Sequence, residues 1–116
     1  MIVHNYELDM TPGDETLRIN LNKNDADFVI NFTLSSSSGT LNIEPDTTVT
    51  IQGTKCNGEK YIASATLNTE TATISVDGDI NLTNEAGIGL FEICLTHNGK
   101  ELHSANFFIV VEQITI

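Results

Sequence analysis

The stretch TTVTIQGTKCNGEKYIASATLN, residues 47–68, decides how this chain folds. Val49 and Ile51 alternate with Thr48, Thr50 and Gln52, so an extended backbone would put the apolar side chains on one face. Asn57-Gly58 comes next, a pair that tolerates the positive φ angles of a type I′ hairpin turn. Beyond it Tyr61, Ala63, Ala65 and Leu67 again share one face. The reading is strand, tight turn, strand.

The same stretch raises a chemical question, because Cys56 lies between Lys55 and Lys60. Nearby ammonium groups lower a thiol pKa, but a nucleophile also needs a positioned base, and no histidine neighbours Cys56 in sequence. A turn position leaves the thiol exposed. Cys56 therefore reads as incidental to the turn.

Period-two alternation extends outward in both directions, and no long stretch has helical spacing. Phe28, Ile30, Phe32 and Leu34 share a face in residues 27–35, as do Ala72, Ile74 and Val76 in residues 71–77. Towards the end, Phe91, Ile93 and Leu95 form one such row, and Phe107, Ile109 and Val111 form another. Asn98-Gly99 is a second hairpin signal, while Ser38-Gly39, Glu44-Pro45-Asp46 and Asp77-Gly78 close other runs. Short strands with turns between them predict an all-β, immunoglobulin-like antiparallel β-sandwich of about seven to nine strands. One short helical turn is expected near residues 81–87, with Asn81 as its cap and Gly87 ending it.

Bulk properties bound the function. The 116 residues fit one domain, 1–116, large enough to bury roughly two-thirds of its unfolded surface. The net charge of -11, with five basic residues scattered along the chain, argues against nucleic acid, whose phosphates need clustered Lys and Arg. No apolar run approaches the ~20 residues of a membrane span, and the first residues lack the basic start and apolar core of a secretion signal. Synthesis and retention in a cytoplasm are expected. Cys56 and Cys94 are not expected to pair, since one lies in a loop and the other in a strand.

Three patterns in the sequence have residue types suited to chemistry. His97 and His103 flank Asn98-Gly99 and could approach across the last hairpin, with Glu101 as a third zinc ligand. Hairpin register alone explains that proximity, so no metal site is expected. Residues 77–85 place Asp77, Asp79 and Asn81 at alternate positions of a calcium loop, but Leu82 and Ile88 stand where the loop needs Gly and Glu. Residues 22–27 are oxygen-rich without a ligand pattern. No phosphate loop, nucleophile elbow or zinc-protease motif occurs, so no catalytic residue and no cofactor is expected.

Read end to end, three blocks resemble the N-terminal immunoglobulin-like domain of phage baseplate upper proteins. They are LDMTPGDETLRINLNKNDADF, then TTVTIQGTKCNGEKYIASATL, then GKELHSANFFIVVE. The family's middle block reads G-T-K-P-D-G, and here Cys56-Asn57 replaces Pro-Asp, which keeps the turn chemistry. Its closing S-x-N-F-x-I-x-V-E pattern is matched by Ser104, Asn106, Phe107, Ile109, Val111 and Glu112.

The resemblance implies a non-catalytic adaptor in the virion. This domain would anchor a longer protein to the tail or baseplate hub, and the rest would carry fibres or receptor-binding proteins outward. It also implies a homotrimer in the full-length protein, with the isolated domain monomeric or weakly assembled. Tyr6, Leu8, Met10, Leu17, Ile19 and Leu21 are the candidates for contact with a neighbour, set against the plainer reading that they line the core. A different class, a cell-surface adhesin domain binding carbohydrate or protein, is disfavoured by the scarcity of aromatic residues. A small enzyme on a sandwich scaffold would need a convergent polar cluster that the sequence does not reveal.

Overall fold

In the computed structural model, residues 1–11 and 17–113 are described. They form ten strands and one helical turn: β1 (Ile2–Asp9), β2 (Leu17–Asn22), β3 (Phe28–Ser35), β4 (Thr48–Thr54), β5 (Lys60–Ser64), β6 (Thr66–Asn68), β7 (Thr73–Asp77), α1 (Ile80–Thr83), β8 (Gly87–His97), β9 (Lys100–His103) and β10 (Phe107–Glu112). One sheet, called the back sheet below, has the order β1-β3-β7-β6. The front sheet has the order β2-β10-β8-β4-β5, with β9 continuing the β10 side of β8.

The alternation read from the sequence is the reason the two sheets close on each other. Ile30, Phe32 and Ile74 point inward from the back sheet and Ile51, Ile93, Phe107 and Ile109 from the front, each at most 1 % exposed. Phe32 and Phe107 meet across the layers with ring centroids 5.1 Å apart, and Phe91 and Tyr61 extend that aromatic row. Truncating either central ring to alanine removes apolar burial and leaves a cavity, a cost of about 3–5 kcal/mol.

The all-β sandwich with a single short helical turn is as expected, with three refinements. First, the sheets are mixed: β1 runs parallel to β3 and β2 parallel to β10, while the other ladders are antiparallel. Parallel neighbours cannot be joined by a hairpin, and here the chain leaves β1 in one sheet to enter the other as β2. Second, residues 61–68 do not form one strand. They divide at Ala65, whose N–H donates to the Val49 carbonyl, so that β5 belongs to the front sheet and β6 to the back. Third, the helix cap is Asp79 rather than Asn81, its carboxylate accepting from the Asn81 N–H at 2.9 Å, and the helix ends at Thr83 instead of running to Gly87.

The two hairpin turns differ. Asn98 and Gly99 both have positive φ, 51° and 74°, as a type I′ turn requires. At the first turn only Gly58 does, at 87°, and the Gly58 N–H donates to the Lys55 carbonyl. The loop between β4 and β5 is longer than two residues, which relieves Asn57 of the positive φ.

The last strand carries a β-bulge. Cys94 lies opposite His103, yet three residues earlier Phe91 lies opposite Phe107, so one extra residue is inserted between His103 and Phe107. Buried Ser104 holds it in place. Its N–H donates to the Ile93 carbonyl and its hydroxyl accepts from the Ile93 N–H, both at 2.9 Å, while the neighbouring Ala105 N–H donates to Asp9 of β1.

Candidate functional site

The surface most unlike its surroundings is the outer face of the front sheet. With Phe91, Ile93 and Leu95 turned inward, period two sends Ile88, Leu90, Glu92 and Cys94 of β8 outward. Register places Phe108 beside Leu90 and Val110 beside Ile88 on β10, and Gln52 beside Glu92 on β4. On β5, Ile62 lies across from Gln52 and is 68 % exposed, with Ile88 and Leu90 also exposed. A groove of ≈ 490 Å³ runs here, bordered by Gln52, Lys60, Ile62, Leu90 and Glu92. One end of the face is thus apolar and open to solvent.

The other end is polar and internally bonded. His103 stands between two carboxylates, its Nδ1 2.8 Å from Glu92 Oε1 and its Nε2 3.1 Å from Glu101 Oε2. A ring facing acceptors at both nitrogens satisfies both only as the imidazolium, and the hydrogen bond to Glu92 above all holds its pKa above the usual histidine value. Gln52 Nε2 also donates to Glu92 Oε1, at 2.9 Å. Beneath these side chains lies Cys94, buried and free. Burial pushes its thiol pKa up, with the negative charges of Glu101 and Glu92 adding to the effect and a contact to Thr96 opposing it.

His97 does not join this cluster. It lies three residues from Cys94 along β8 and therefore on the opposite face, where it meets Asp46 at 2.6 Å. The two histidines that could have approached across the hairpin are thus split across the sheet, and Cys94 takes the place beside His103. The signal was present in the sequence. Counting outward from a two-residue Asn98-Gly99 turn puts Cys94 opposite His103 and Thr96 opposite Glu101.

The turn at Cys56 is built as a small lock. The Lys55 side chain is buried and its ammonium donates to the Asn84 side-chain oxygen beyond α1, with Glu59 3.8 Å away. Exposed Cys56 donates its thiol hydrogen towards the Ala86 carbonyl at 3.2 Å. It packs so closely on Gly87 that a Cβ there would stand 2.7 Å from its own. Tyr61 donates to Asp79 at 2.7 Å, tying β5 to the helix cap, and burial pushes the phenol pKa well up.

The six residues proposed from sequence for contact with a neighbour lie elsewhere. Leu8, Met10, Ile19 and Leu21 are buried in the core, and Tyr6 and Leu17 pack partly buried against it. Strand alternation turns them inward, so four of the six offer no surface. Within the run of Asp77, Asp79 and Asn81, the Asp79 carboxylate accepts from the Tyr61 hydroxyl and from the Asn81 N–H. No helix among the described residues is long and apolar enough to cross a membrane.

No family model matches the sequence, and a search of characterised proteins returns no relative. Among solved structures, the chain is similar to the N-terminal domain of phage TP901-1 ORF48, with a TM-score of 0.72 and 13% sequence identity over 97% of this chain and 99% of that one. At that identity the likeness is one of fold.

Proposed function

We propose that this chain is a non-catalytic structural module of a phage tail baseplate, attaching a fibre or receptor-binding assembly to the tail hub. The observation that carries this reading is the fold match to a phage protein's N-terminal domain, which spans both chains almost end to end. The three sequence blocks that resemble baseplate upper proteins support it from an independent direction, and an immunoglobulin-like description of the sandwich follows from that resemblance.

The surface is suited to such a role. The apolar end of the front face, with Ile88 and Leu90 exposed beside Phe108 and Val110, takes over the docking part first given to residues of β1 and β2. Exposed apolar side chains in contiguous strands mark protein contacts more often than chance scatter does. In this reading the mature protein resides in the virion, trimerises through parts outside this domain, and contacts hub and fibre proteins rather than nucleic acid or membrane.

Antibody against this domain, applied to whole virions and viewed by electron microscopy, tests the proposal. Label confined to the tail tip is the expected result. Label absent from particles but present on bacterial surfaces would overturn it in favour of an adhesin.

A further inference from the structure

The cluster under His103 has the composition of a soft-metal site. Cys94 Sγ, a Glu101 carboxylate oxygen and a His103 ring nitrogen all lie within 4.8 Å of one another. Bond lengths around tetrahedral zinc put neighbouring ligand atoms about 3.2–3.8 Å apart. Glu101 and His103 are exposed and Cys94 is buried, so the contraction to bonding distance falls mainly to the exposed Glu101 carboxylate. The backbone beneath is rigid: β8 and β9 are paired rung by rung from the type I′ turn to Cys94–His103.

We propose that Cys94, His103 and Glu101 bind a thiophilic divalent cation of the zinc class. His103 coordinates through Nε2, the nitrogen already facing Glu101, and Glu92 holds Nδ1–H at 2.8 Å. That outer carboxylate sets the tautomer and orients the ring, as carboxylates behind metal-bound histidines do. The open fourth position faces solvent and takes water. Binding expels the thiol proton and the Nε2 proton to solvent, so the two positive charges of the ion replace two protons and the charge of the cluster is unchanged. The mixture of one sulfur, one nitrogen and one carboxylate oxygen selects zinc or cobalt over calcium or magnesium, which take oxygen ligands.

The test is titration of the whole chain with Co²⁺ under reducing conditions, following the thiolate-to-cobalt charge-transfer absorption. A saturable band that Zn²⁺ abolishes is expected, together with a rise in thermal midpoint on adding Zn²⁺. Cys94→Ser and His103→Gln should each remove the band, Cys56→Ser should leave it intact, and Glu92→Gln should weaken affinity roughly 10- to 100-fold while keeping it. Absence of any band would overturn the proposal. So would a band lost in Cys56→Ser, which would move the cation to the exposed turn, or undiminished affinity in His103→Gln. Should Cys94→Ser fail to fold, the exposed substitutions His103→Gln and Glu101→Gln decide the matter.

Discussion

The outer faces of the two sheets are made by the same alternation but are furnished differently, although the back face also carries exposed Val3 beside Val29. On the back sheet, Asn5, Asn31 and Ser75 lie side by side on three neighbouring strands and bond to one another, Asn31 donating to Asn5 at 3.1 Å and accepting from Ser75 at 2.7 Å. Thr33, Thr73 and Glu7 continue a polar row that faces water. On the front sheet the equivalent positions hold Ile88, Leu90, Phe108 and Val110, then Glu92, Cys94, His103 and Glu101. The back face spends its polar groups on itself. The front face leaves apolar surface open and gathers His103, Glu92, Glu101 and Cys94 beside it.

The largest effect tests what the two sheets share. Phe107→Ala should cost about 3–5 kcal/mol in urea-monitored unfolding, because its ring fills the middle of the sandwich. Ser104→Ala should cost about 1–3 kcal/mol by the same measurement, since it strips a buried N–H of its acceptor. A smaller loss would mean that the two backbone bonds, Ser104 to Ile93 and Ala105 to Asp9, hold the bulge without the hydroxyl.

The faces themselves are separated by a pair of substitutions. Asn31→Ala on the back should lower stability by about 0.5–1.5 kcal/mol, and incorporation into tails should be unaffected. Leu90→Ser on the front should change stability by no more than about 0.5 kcal/mol, yet reduce incorporation, scored by quantitative immunoblot of purified particles. Reversal of that pattern would erase the division of labour.

The smallest effect is on pH dependence. The folded-state pKa of His103 is raised, so its contribution is fully present below the unfolded value and is lost as pH rises through the folded value. Stability of the metal-free chain should therefore fall slightly more between about pH 6 and pH 8 than that of His103→Gln. Glu92 and Glu101 are the carboxylates that face the ring, and its exposure keeps the difference small.

How much of this was legible beforehand divides along physical lines. Alternation is local, so inward rows such as Phe28–Ile30–Phe32–Leu34 could be read directly from side-chain spacing. Strand partnership is not local. Nothing in residues 2–9 says that they pair parallel with β3, and nothing in residues 61–68 marks Ala65 as the crossing between sheets, because Ala63, Ala65 and Leu67 alternate smoothly through it. The same limit hid the front-face cluster. Apolar periodicity marks the inward rows, whereas the neighbours of Cys94 on the outer face depend on cross-strand register. Of the candidate contacts on β1 and β2, Leu8, Met10, Ile19 and Leu21 offer no surface for a related reason: an alternating apolar run announces a buried face, and these four are buried within the chain itself.

The bulge between His103 and Phe107 has an evolutionary consequence. By inserting one residue it resets the phase of the strand, so the hairpin end presents His103 outward with Cys94 while the far end still presents Phe107 inward. The two ends are therefore free to diverge under different selection. Changes at the hairpin tip can alter the outer face without altering which residues of β10 fill the core. A single deletion at residues 104–105 would fuse the two phases, and every later side chain of the strand would turn over at once.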